Sequence, residues 1–201
     1  MLLVTMPTTP GESPLSGVIA EADGIIRSRQ DKKVVTLELP TAGQVLEALP
    51  GYGIAHFACH GVPESNPANS HLLLFKATTS DDGICTEAVD KLRVKDIAAL
   101  KLPAARLAYL SACSTAQSTS STLSDEVTHI VSSFHIAGFI NVIGTLWPSD
   151  DDACHRMAVE FYSTLSKTDD MAVSYRSAVL KLMKEKPLQP MYWAPFILFG
   201  A

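Results

Sequence analysis

Six short apolar runs, at 2–6, 34–39, 54–59, 107–112, 140–147 and 196–199, are spaced along the chain with amphipathic stretches between them. Their hydrophobicity is continuous rather than alternating, the pattern of strands covered on both faces. The intervening stretches carry apolar residues at helical spacing. Ser13-Pro14 supplies a cap and a first-turn proline for a helix with Leu15, Val18, Ile19, Ala22, Ile25 and Ile26 on one side. Thr41 and Gln44 have the spacing of a capping box, ahead of Val45, Leu46 and Leu49. A third helix is expected from Ser124, with Asp125 and Glu126 near the positive end of its dipole. A fourth follows from about Asp151 and a fifth from about Asp170. This alternation predicts an α/β fold, a mainly parallel sheet of about six strands with helices on both faces.

Residues 71–103 break the rhythm. They read as a short strand at 71–75, a turn at 80–83 and a short helix at 94–100, together an insertion near the sheet edge. Residues 114–124 form a Ser/Thr-rich loop. At 201 residues, with no repeat of 20–50 residues, the chain is expected to be a single domain over 1–201. Apolar runs set hard against both ends suggest a fragment of a longer protein.

Charge and cysteine usage exclude several functions. Sixteen Lys and Arg face 21 Asp and Glu, a net charge of −5, with no basic cluster to track a phosphate backbone. Nucleic acid is therefore not an expected partner. No apolar run reaches the ~18 residues of a membrane span, and the first residues lack the basic start of a secretory signal. Cys59, Cys85, Cys113 and Cys154 show neither metal-binding nor disulfide-framework spacing, so a reduced, intracellular setting, the cytoplasm, is expected. Gly51-Tyr52-Gly53 precedes a strand instead of opening a helix, which removes a dinucleotide fingerprint. No metal or organic cofactor is called for.

Ligands of open parallel sheets gather beyond the carboxyl ends of the strands. Two of the expected strands end in reactive side chains, the run at 54–59 in His60-Gly61 and the run at 107–112 in Cys113. If these strands are neighbours, an imidazole and a thiol share one edge, as thiol nucleophilic catalysis requires. The amides of Gly61 and Cys113 would then offer an oxyanion hole. The plainer alternative is a buried cysteine and a histidine at a turn. His56, on the same strand face as His60 but about 13 Å away, is expected to be a hydrogen-bonded core residue.

The blocks HFACHG (56–61), SHLLL (70–74), YLSACSTA (109–116), LSDE (123–126), AGFINVIGTLW (137–147) and WAPFILFG (193–200) occur in that order. Together they resemble the CHAT domain, a caspase- and separase-related group of cysteine peptidase-like domains. The resemblance implies a caspase-like three-layer α/β sandwich, with the family's histidine at His60 and its nucleophilic cysteine at Cys113. CHAT domains commonly follow helical repeats, so fused repeats or a regulatory protein are expected partners, beside a protein or peptide substrate.

The expected activity is that of a cysteine endopeptidase. Asp151, Asp125 and Trp147 are candidates for the substrate pocket, where an acidic edge would favour Lys or Arg before the scissile bond. Against this stands the role of Asp150, Asp151 and Asp152 as helix caps. The rival function is a non-catalytic or partner-activated signalling scaffold that keeps the peptidase fold. A flavodoxin-like binder fits the alternation but lacks a glycine-rich phosphate loop.

Overall fold

The computed structural model describes residues 1–29, 32–62, 64, 66–79, 85–111, 123–147 and 149–200, with backbone only at 67 and 123–129. Nine strands are described: β1 (Leu2–Thr5), β2 (Val35–Glu38), β3 (Ile54–Ala58), β4 (Gly61–Val62), β5 (His71–Thr79), β6 (Cys85–Arg93), β7 (Leu107–Leu110), β8 (Asn141–Thr145) and β9 (Phe196–Gly200). The main sheet has the order β2-β1-β3-β7-β8-β9. All its pairings are parallel except β8 with β9. Its six strands are the six apolar runs of the sequence.

Alternation along each strand divides the core into two layers. Leu2, Val4, Ala55, Phe57, Ala108, Leu110 and Val142 point into one. This layer is closed by helices α2 (Ala42–Ala48), α3 (Val94–Ala98) and α4 (Leu123–Ala137) through Val45, Ile97, Val131 and Phe134. Leu3, Ile54, Leu107, Tyr109 and Ile143 point into the other. There α1 (Val18–Ser28), α5 (Asp151–Thr168) and α6 (Met171–Glu185) supply Ile25, Met157, Phe161, Ala178 and Leu182. The result is the expected three-layer α/β sandwich. Each fully buried large apolar side chain contributes about 1.5–3 kcal/mol, so both layers hold the sheet firmly. Gly24 lets α1 lie close on α5, since a Cβ there would stand 2.4 Å from Val159 Cγ2.

Local signals are met in most places. Thr41 and Gln44 form the capping box of α2. Asp150 caps α5 by accepting from Asp152 N and Ala153 N, and Asp170 caps α6 through Val173 N. Two expectations need correction. The first helix begins at Val18, not at Ser13-Pro14, and Gly17 occupies its N-cap. The insertion holds a long antiparallel hairpin, β5 with β6, in place of one short strand. Apolar residues on β6 are too sparse to announce a strand, because much of it is exposed. The hairpin joins the main sheet through β4, which follows directly from the end of the central strand β3. The turn expected at 80–83 lies outside the described residues.

Candidate functional site

The order of the sheet makes β3 the neighbour of β1 on one side and of β7 on the other. The chain runs outward from β1 to β2 in one direction and from β3 to β7 and β8 in the other. The crevice between β1 and β3 is therefore the topological switch point, where open sheets bind ligands beyond the strand ends. His60 emerges there from β3, and the segment following β1 lies across from it.

His60 is buried, 2% exposed. Its Nε2 stands 2.9 Å from the backbone oxygen of Ser13. A carbonyl oxygen only accepts, so Nε2 carries the hydrogen in this bond and, in the neutral ring, Nδ1 carries the lone pair. The contact thus sets both tautomer and ring direction. It also explains why the first helix starts late: residues 13–17 form a loop whose carbonyl reaches the histidine instead of a helix turn. Nothing in the residue type at position 13 could have signalled this, because the contact is made by backbone.

Gly61 is held just as definitely. Leu73 N donates to His60 O at 2.9 Å, and Gly61 pairs with Leu72. That makes Gly61–Leu72 a non-hydrogen-bonded pair of an antiparallel ladder, so the Gly61 N–H turns away from β5.

On the β7 side, Phe57 lies opposite Leu110, and Ser111 N donates to Phe57 O at 2.9 Å. The β3–β7 ladder thus continues past the end of β7. Cys113 and the Ser/Thr run after it lie outside the described residues. So does the side chain of Asp125, whose backbone is in the first turn of α4.

A buried polar cluster lies beneath these strand ends. Ser111 Oγ donates to Glu21 Oε2 at 3.1 Å. Glu21 Oε1 stands 3.1 Å from His56 Nε2, a close polar contact that lies off the line of a hydrogen bond. His56 Nδ1 is 3.3 Å from the Tyr162 hydroxyl, and its ring stacks on Tyr109 at 4.7 Å between centroids. Burial, with Glu21 nearby, raises the Tyr162 pKa well above the ordinary phenol value; the Arg29 guanidinium, 5.9 Å over its ring, opposes this. His56 is fully buried, as a core histidine should be. Nothing in the amphipathic pattern of α1 signals that Glu21, within the helix, and Arg29, at its C-cap, are charged residues buried in the fold.

The acidic candidates separate by role. Asp150 is the cap, and Asp152 accepts from the Tyr192 hydroxyl. Asp151 faces Gly17 and lines a shallow crevice with Leu15, Val18, Glu21, Ser111 and Cys154. Trp147 follows β8 at the same end of the sheet, half-buried, with a buried indole N–H that has no hydrogen-bond partner among the described residues. Cys59 points into the core, where burial pushes its thiol up to about 12. Among the described residues no group of three or more His, Cys, Asp or Glu could hold a metal ion. No described helix is long and apolar enough to cross a membrane.

The fold is shared with solved cysteine peptidases at low sequence identity. The Arg-specific cysteine proteinase gingipain R (RgpB) superposes with a TM-score of 0.59 at 11% identity, over 99% of this chain and 45% of that one. The complex of Porphyromonas gingivalis RgpB pro- and mature domains gives 0.58 at 11%, over 99% and 46%. Separase from Saccharomyces cerevisiae, in complex with securin, gives 0.58 at 19%, over 99% and 12%. The chain therefore spans less than half of the gingipain chains and a small part of separase. No curated protein matches it in sequence. The CHAT domain family model, however, matches residues 2–201, so the chain belongs to the CHAT domain family.

Proposed function

We propose that this chain is a caspase-like cysteine endopeptidase domain in which Cys113 and His60 form the catalytic dyad. The observation that carries the reading is the pairing of β3 with β7, together with the His60 Nε2 contact to the Ser13 carbonyl. His60 and Cys113 follow the Phe57–Leu110 pair by equal numbers of residues on adjacent parallel strands. A histidine whose far nitrogen is fixed by a third group is the arrangement an activated nucleophile uses.

In this mechanism His60 Nδ1 takes the proton of the Cys113 thiol, and the sulfur attacks the peptide carbonyl. The amides of Gly61 and Cys113 hold the oxyanion, and the orientation of the Gly61 N–H supports that role. His60 then gives its proton to the leaving amine. Water, deprotonated by the same ring, attacks the thioester and releases the acid and the thiol. The partly exposed Asp151 at this end of the sheet supports a preference for Lys or Arg before the scissile bond; gingipain R is itself Arg-specific.

The test is cleavage of a fluorogenic peptide library by the wild type and by Cys113→Ala. Turnover is expected to fall at least about 10³-fold in the variant, with its thermal unfolding unchanged. Retained cleavage refutes the dyad, and cleavage only after acidic residues refutes the preference.

A second reading is favoured by the burial of His60, namely a domain that becomes active, or signals, only when a protein partner rearranges the site. Separase with securin, and the RgpB mature domain with its pro-domain, are structural neighbours solved in complex with a protein partner. Under this reading the isolated chain cleaves no library peptide, and a thiol-reactive peptide probe labels Cys113 no faster than the other cysteines.

A further inference from the structure

The β5–β6 hairpin carries a feature that the peptidase chemistry does not use. Lys91 and Arg93 lie two residues apart on β6 and so point to the same face. Lys95 follows in the first turn of α3, and His71 stands opposite Arg93 in the ladder. With Glu64 and Asn69 these residues line an open cleft of about 780 Å³. We propose that this cleft is a docking site for an acidic peptide segment, with Lys91, Arg93 and Lys95 receiving its carboxylates.

The charge balance argues for an anionic occupant. The chain as a whole carries −5, yet three cations converge here against one carboxylate. That carboxylate, on Glu64, stands 3.8 Å from the buried His71 ring. None of the three cations makes an ion pair among the described residues. Arg106, Arg156, Lys181 and Lys186 each reach an acidic side chain. Three like charges lining one cleft repel each other until an anion is supplied.

The geometry argues for a peptide. Residues two apart on a strand are about 6.6 Å apart, so Lys91 and Arg93 match the spacing of alternate side chains on an extended peptide. The cleft is too large for a lone ion, and its surface is mainly polar. Three cations on an otherwise acidic chain are a poor match for the continuous charge of a nucleic acid. The location adds meaning. His71 pairs with Val62, the residue after Gly61, so β4 links the cleft to the strand tip that carries His60. Docking itself requires neither His60 nor Cys113 to be catalytic.

The test measures fluorescence anisotropy of a labelled ten-residue peptide of alternating Glu and Thr against full-length Cys113→Ala protein, which cannot consume it by the proposed mechanism. Binding is expected in low salt and should weaken about tenfold or more in half-molar salt. Lys91→Gln/Arg93→Gln/Lys95→Gln should weaken it by about tenfold or more. Lys33→Gln/Lys167→Gln/Lys184→Gln, which removes the same charge from exposed sites elsewhere, should leave it within about twofold. Should the first triple variant fail a thermal-unfolding check, Lys91→Glu/Lys95→Glu, at two exposed positions, replaces it. Equal losses in the cleft and control variants, or no binding at millimolar peptide, would overturn the proposal. Failure of peptide cleavage by the wild type would overturn only the dyad.

Discussion

Two histidines on one strand end up in opposite circumstances. His56 sits in the middle of β3, stacked on Tyr109, with one ring nitrogen at the Tyr162 hydroxyl and the other against Glu21. His60, just past the strand, has its Nε2 fixed by a loop carbonyl and its backbone tied to β5. Both rings are buried, so burial does not tell the two apart. Their partners do. The His56 nitrogens face core side chains, whereas Nε2 of His60 meets a backbone carbonyl, the arrangement on which the proposed dyad rests.

The largest expected effect separates the two rings directly. His60→Ala should lower kcat/KM for peptide cleavage by at least about 10³-fold and leave the unfolding temperature nearly unchanged. His56→Ala should do the reverse, destabilising the fold by about 3 kcal/mol while the folded fraction keeps most of its activity. Parallel activity and unfolding curves decide it, and an exchange of the two patterns would break the comparison.

A smaller effect tests how the two regions are joined. Glu21 touches both His56 and Ser111, so Glu21→Ala should destabilise by about 3 kcal/mol, and Glu21→Gln by less. A double-mutant cycle of Glu21→Ala with His56→Ala should return a coupling of about 1 kcal/mol or more. Additive losses would mean that the contact contributes nothing.

The cysteines sharpen the same contrast. A thiol ionises near pH 8.5 in an unfolded chain, whereas Cys59 in the folded protein is pushed up to about 12 by burial. The folded state therefore favours the neutral thiol. The stability this contributes is complete below about pH 8.5 and is lost as the pH rises toward 12. Iodoacetamide at pH 8 should modify Cys113 rapidly and Cys59 only on unfolding, as read by mass spectrometry. Cys59→Ala should flatten the fall in stability through that alkaline window. Rapid modification of Cys59 in the native protein would remove the distinction.

Most of the main sheet was legible in the sequence because its strands are covered on both faces. Continuous apolar runs have few other uses in a chain of this charge, and Thr41, Asp150 and Asp170 marked three helix starts through capping chemistry that is local. The hairpin was half missed for the converse reason: β6 is largely exposed, and its residues Glu87, Asp90, Lys91 and Arg93 carry no apolar signature. Of the site, His60 and Gly61 could be named from their place at a strand tip. Ser13 could not, because its part is played by a carbonyl that every residue has. Nor could Glu21, whose burial depends on where α1 packs.

By itself the sequence determined the layered architecture and the family, since strand burial, helix caps and ordered motif blocks are properties of short segments. Only the tertiary structure decided which strands are neighbours, which carbonyl faces the histidine and which cations share a cleft. These depend on contacts between residues far apart in the chain, and such contacts exist only once the sheet has assembled.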